Sequence, residues 1–111
     1  VRKGIAPMDL DAVADLVDIV ETFNGRAVAQ NKGPQATGWA RLHEKPTAAS
    51  SDAHGKKGVG TAYSTIIEVP TVHNLVEQLQ LGHLTMQRPP LHTLLYPKLH
   101  RMRRTFKGTK K

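Results

Sequence analysis

With 111 residues, the chain has room for one compact domain and too few residues for two with separate cores. Its 16 Lys and Arg outweigh 9 Asp and Glu for a formal charge of +7, and the absence of cysteine excludes a disulfide framework and a thiolate metal site. Apolar runs fall far short of the roughly 18 residues that span a bilayer, and Pro70, Pro89, Pro90 and Pro97 interrupt the second half, which argues against an integral helical membrane protein.

The first expected element follows Arg2, Lys3 and Pro7. Leu10, Val13, Val17 and Val20 recur at helical spacing, Leu16 and Phe23 widen the stripe, and Asp11, Asp15 and Asp18 fall on the other face, which predicts an amphipathic helix over residues 9–23. Asp9 is placed to cap it, the early acids suit its dipole, and Asn24-Gly25 offers a left-handed stop. The acidic face reads as solvated surface or as a contact for a basic neighbour. The start at Val1 is compatible with an engineered start, a fragment, or a mature product that has lost a targeting segment.

Residues 26–30 and 39–43 read as two short strands, with Gly33, Pro34 and Gly38 breaking the stretch between them into turns. In a strand, alternation would put Trp39, Arg41 and His43 on one face, where they could stack on a base and hold a phosphate; otherwise Trp39 anchors a small core. Residues 44–60 lack periodicity and read as a long loop. Within it, Gly55-Lys56-Lys57-Gly58 resembles the GXXG loop with which KH domains approach an RNA backbone. A KH loop joins two helices, however, and the flanks here are a Pro/Ser/Ala-rich stretch and a β-prone run. A loop that touches phosphate through Lys56 and Lys57 and a simple solvated turn both stay open.

Tyr63 to Val69 is β-prone, and Thr71 can cap a helix with apolar positions Val72, Leu75, Val76 and Leu79, closed by Gly82. Residues 83–87 then read as a strand, giving a minimal βαβ unit, right-handed if its strands are parallel. Between residues 61 and 87 the only charges are Glu68 and Glu77, so this part reads as scaffold.

Pro89-Pro90 predicts an extended joint, followed by Leu91, Leu94 and Leu95 and by a helix starting near Pro97. On that helix Leu99, Met102 and Phe106 share a face. From Arg88 onward there are eight bases, Arg88, Lys98, Arg101, Arg103, Arg104, Lys107, Lys110 and Lys111, and no acid. Such a local positive field suits a polyanion. If half of these bases met phosphates, the log-log salt slope would be about −3.6.

Catalytic signatures are missing by comparison. Six histidines (His43, His54, His73, His83, His92, His100) form neither HxxxH nor HExxH, and Asp52, two residues before His54, is an acid partner by sequence only. Neither GxxxxGK[ST] nor GxGxxG occurs, and Ser51, Ser64 and Thr65 have no evident base to activate them. The residues therefore point to no catalytic group, metal or cofactor.

The expected fold class is α+β, a small single domain with an N-terminal amphipathic helix, a βαβ-like unit and a basic C-terminal helical extension. Residues 1–87 form the scaffold, with its loop at 44–60, and 88–111 the extension. A near-neutral scaffold, a glycine-lysine loop and a proline-bounded basic tail together resemble mitochondrial ribosomal proteins in type. That resemblance implies a structural role in the mitochondrial matrix, with rRNA and neighbouring ribosomal proteins as partners. Contacts to RNA would fall on the eight tail bases, on Lys56 and Lys57, and on Arg41. A peripheral membrane anchor and a protein-only assembly subunit are the alternatives.

Overall fold

The computed structural model describes residues 5–28 and 31–89. Helices and strands alternate along them in an α+β arrangement, but several elements differ from those the sequence predicts. Helix α1 spans only Pro7–Ala12, with Pro7 in its first turn and Ala6, not Asp9, at the N-cap. A 3-10 turn at Ala14–Leu16 ends the helical path, and Val20–Asn24 form strand β1. The predicted helix over 9–23 thus breaks in the middle. Val17, Ile19, Val20 and Thr22 are β-branched and fit a pleated strand, so tertiary pairing overrides a spacing that also suits a helix.

Residues 26–28 turn rather than extend: the Asn24 side-chain oxygen accepts the Arg26 amide at 2.9 Å and the Asn24 carbonyl accepts that of Ala27 at 3.1 Å. Residues 29 and 30, the rest of that expected strand, lie outside the described residues. The second expected strand, 39–43, is also corrected, because Gly33–Leu42 form helix α2. Pro34 sits in its first turn, where a missing amide leaves no hydrogen bond unmade, and Thr37 donates from its hydroxyl to the Gly33 carbonyl at 2.8 Å.

Strand β2, Thr47–Ser50, lies inside the expected loop and pairs in parallel with β1, Val20 opposite Thr47 and Asn24 opposite Ser50. The register slips between Glu21 and Phe23, leaving buried Thr22 at the irregularity. The chain therefore contains a parallel βαβ unit, β1-α2-β2, in its N-terminal half. Helix α2 packs on β1 at a glycine: a Cβ on Gly33 would stand 2.6 Å from the Thr22 carbonyl oxygen.

The later elements follow the sequence more closely. Strand β3 is Ala62–Thr65, α3 is Leu75–Leu81 with Gly82 at its C-cap, and β4 is His83–Met86. Thr71 and Asn74 bond reciprocally ahead of α3: the Asn74 side-chain oxygen accepts the Thr71 amide at 2.7 Å, and the Thr71 hydroxyl accepts the Asn74 amide at 3.2 Å. Strands β3 and β4 are antiparallel, with Ala62 opposite Met86 and Thr65 opposite His83, so the expected strand-helix-strand succession is present and the handedness of a parallel unit does not apply to it. The cause is local. Gly82 lies so close to the end of β3 that a Cβ there would meet the Thr65 carbonyl oxygen at 2.6 Å, and β4 must run back from that point.

Strand β2 packs against β3 and β4, and the Ala49 amide donates to the Ser64 hydroxyl at 3.1 Å, which ties the two sheets together. Besides Pro46 and Pro89, the buried apolar side chains among the described residues are Ala14, Ala40, Ala49 and Ala62. Four methyl groups are a small core, because stabilisation scales with apolar area at roughly 25 cal/mol per Å². No helix among the described residues is long and apolar enough to cross a membrane.

Candidate functional site

In parallel sheets, ligands bind beyond the carboxyl ends of the strands, where backbone and loop groups converge. Here β1 and β2 end side by side at Asn24 and Ser50. Gly25 permits this: its amide donates to the Ser50 carbonyl at 2.9 Å, and a Cβ would stand 2.8 Å from the Ser51 carbonyl oxygen. The Ser50 hydroxyl also donates to the Glu21 carboxylate on the adjacent strand.

Just past β2, Asp52 adopts a left-handed conformation with φ of 48°. Aspartate tolerates this region better than most residues, yet such backbone strain gathers at functional positions. His54 Nδ1 lies 2.7 Å from the Asp52 carbonyl oxygen. A carbonyl can only accept, so Nδ1 carries a proton, and Nε2 is the nitrogen that could ligate a metal. Asn24 Nδ2 donates to Asp52 Oδ2 at 3.3 Å, and Asp52 Oδ1 is 3.9 Å from His54 Nδ1. Both side chains are half-exposed, His54 at 42% and Asp52 at 47%. The cluster offers a carboxylate and an oriented imidazole, two ligand types common to zinc, manganese and iron sites. Among the described residues, no group of three or more such donors assembles.

The next turn carries charge. Lys56 and Lys57 are exposed on a 3-10 turn, Lys56–Gly58, that links β2 to β3 rather than two helices, so the geometry of a KH loop is not reproduced. Arg88 reaches the same end of the sheet. Its guanidinium lies 4.6 Å from the centre of the Phe23 ring, and Nη1 donates to the Asn24 carbonyl at 3.0 Å. Buried Pro89 approaches Gly58, where a Cβ would stand 4.0 Å from Pro89 Cγ.

Arg41 is elsewhere: it sits exposed in the last turn of α2, which leads into the amino end of β2, opposite the cluster. Lys98, Arg101, Arg103, Arg104, Lys107, Lys110 and Lys111 lie outside the described residues. The stacking face expected of Trp39, Arg41 and His43 is also corrected by the helix. Trp39 and His43 meet one helical turn apart with ring centres 4.3 Å apart, and the indole donates to Asp11 Oδ1 at 2.7 Å. Asp11 lies 3.4 Å from His43 Nε2 as well, so this trio fastens α1 to α2.

The sequence shows Asp52 close to His54 but, without a metal-ligand spacing among the histidines, gives the pair no role. The available signal was an Asp-x-His immediately after a short small-residue strand and before a glycine-lysine turn.

A family described as PHP-associated matches residues 33–84, just under half of the chain. The matched segment runs from α2 through β2, Asp52, His54 and the lysine turn into β4. Comparison with curated proteins and with solved structures found no match.

Proposed function

We propose that Asp52 and His54, braced by Asn24, contribute a carboxylate and an imidazole to a divalent-metal site of a phosphate-ester hydrolase. The observation that carries this reading is the His54 Nδ1 hydrogen bond to the Asp52 carbonyl, because metal-ligating histidines characteristically donate their second nitrogen to such an acceptor. The match to a PHP-associated family supports a hydrolase setting, since such segments typically stand alongside PHP hydrolase domains, although they are not themselves shown to be catalytic.

The donors fit a divalent ion of the zinc, manganese or iron type. Such an ion supplies Lewis-acid polarisation of a phosphoryl oxygen. The chain's own groups would do the rest: Asp52 and His54 would hold the ion, Asn24 fixes the carboxylate, and Lys56 and Lys57 would offer ammonium charge to a bound phosphate. Calorimetric titration of the full chain with Mn2+ tests this. Heat of binding that disappears in the double variant Asp52→Asn/His54→Gln supports the reading, and equal binding by both proteins overturns it.

A second reading keeps the role expected from composition, a structural constituent of a mitochondrial ribosome that holds rRNA through its tail. The observation favouring it is the run of eight bases without an acid from Arg88 to Lys111. Its test is sedimentation: RNase-sensitive migration with a large particle, lost on reversing Arg101, Arg103 and Arg104 to Glu, favours the ribosome. A free protein in cell extract, or unchanged migration of that variant, counts against it.

A further inference from the structure

Strands β3 and β4 form a sheet of two, so each has an edge turned away from its neighbour. The Gln87 amide donates to the Thr61 carbonyl at 2.9 Å, and bonded and unbonded pairs alternate in an antiparallel ladder, so the next bonded pairs are Tyr63 with Thr85 and Thr65 with His83. Ala62 and Ser64 on β3, and Leu84 and Met86 on β4, therefore direct their main-chain amides and carbonyls outward. The two edges differ in exposure. Ala62 is buried at 6%, whereas Met86 is 55% exposed, and among the described residues nothing bonds the outward groups of Leu84 and Met86.

Open edges are commonly blunted by Lys, Pro or a bulge. His83–Met86 carries none of these: it has no proline and no Lys, Arg, Asp or Glu, and its register with β3 is continuous. Charge also favours this face for self-contact, because residues 61–87 hold Glu68 and Glu77 and no base in a chain of formal charge +7. The edge matches itself in one register. With Thr85 opposite Thr85 of a second copy, Leu84 of each chain falls opposite Met86 of the other, where the outward main-chain groups meet as bonded pairs. Leu84 and Met86 share a face, so each bonded pair is also an apolar pair. Arg88 then falls opposite Gly82, and no like charges are opposed. Centring on Leu84 instead would set Met86 against Gly82, and centring on Met86 would set Leu84 against Arg88.

We infer that the chain forms a two-fold symmetric dimer in which β4 pairs antiparallel with β4 of a second copy about Thr85. Two sheets of two strands become one of four, with Tyr63 and Thr85 of both chains on one face and Ala62, Met86, Leu84 and Ser64 on the other. A two-stranded sheet is marginal by itself, and no large apolar side chain among the described residues is fully buried, so the added strands supply cover that the single chain lacks. The pairing uses neither Asp52 nor His54 and stands or falls separately from the metal site.

Sedimentation equilibrium of the full chain over a concentration series tests it and should report a reversible doubling of mass. Thr85→Lys sets two ammonium groups opposite each other and should raise the dimer dissociation constant at least about tenfold. Mixing it with Thr85→Glu should restore a mixed dimer, which also shows that both variants fold. The chain has no cysteine, so Thr85→Cys should cross-link through a single disulfide on mild oxidation, while Thr65→Cys, on the same face of β3, should not. A native chain that stays monomeric up to about 1 mM overturns the inference, and protected Leu84 and Met86 amides in that monomer would show the edge covered by the chain itself. A dimer indifferent to Thr85→Lys, or cross-linked as readily through Thr65→Cys, overturns it as well by placing the contact elsewhere.

Discussion

The imidazole of His54 donates to the main-chain carbonyl of Asp52 two residues before it, at 2.7 Å, so the ring orientation is set by the backbone of the residue that supplies the neighbouring carboxylate. Asp52 in turn holds a left-handed φ of 48°, and this places carbonyl and carboxylate on the same short turn. The arrangement orients the two side chains without either being part of the core.

Asp52→Asn and His54→Gln should therefore remove metal binding and leave stability within about 0.5 kcal/mol, as is usual for exposed positions away from packing. Urea unfolding followed by circular dichroism checks the second part. A large loss of stability would assign the pair to the scaffold instead of to a site.

Asn24 has more to lose. It braces Asp52 through Nδ2, and its side-chain oxygen accepts the Arg26 amide. Asn24→Ala should weaken metal affinity about tenfold, as for other residues that orient a ligand. It should also cost about 1 kcal/mol through the lost turn hydrogen bond. Calorimetry and urea midpoints measure the two effects separately.

Trp39 reports directly on the docking of α1. Removing its acceptor with Asp11→Ala should destabilise the chain by about 1 kcal/mol and red-shift the fluorescence of the sole tryptophan, as α1 loosens from α2. Unchanged emission would show that α1 stays in place without the Asp11 contact.

Gly33→Ala should cost about 1–3 kcal/mol, because the added methyl meets the Thr22 carbonyl at 2.6 Å and backbone must shift to admit it. Gly38→Ala, which meets nothing within 4 Å, should be stabilising by about 0.5–1 kcal/mol in the same helix. The opposite signs make this pair a sensitive check on the placement of α2 against β1.

Legibility varied along the chain for identifiable reasons. Helix α3 and strand β4 were readable because Leu75 and Leu79 keep a helical spacing and Gly82 marks the stop. The segment 9–23 was ambiguous, since Val13, Val17 and Val20 satisfy a helical stripe while the β-branched run around Val20 satisfies a strand. Only pairing with β2 decides between them. Helix α2 was hidden by Gly33, Pro34 and Gly38, which look like breaks but occupy a helix start and an exposed face. Strand β2, Thr-Ala-Ala-Ser, is too short and too weakly apolar to stand out, and with it went the position of Asp52 and His54 at its carboxyl end. The direction of β4 could not be read from periodicity at all, because alternation is the same for parallel and antiparallel pairing.

The most direct test of the metal site is paramagnetic NMR on the full chain, following the imidazole signals of all six histidines as Mn2+ is added in substoichiometric steps. Broadening falls steeply with distance from the ion, so it locates even weak binding. His54 should broaden first, and Asp52→Asn should remove this preference. Uniform broadening of the six, or another histidine broadening before His54, would contradict it.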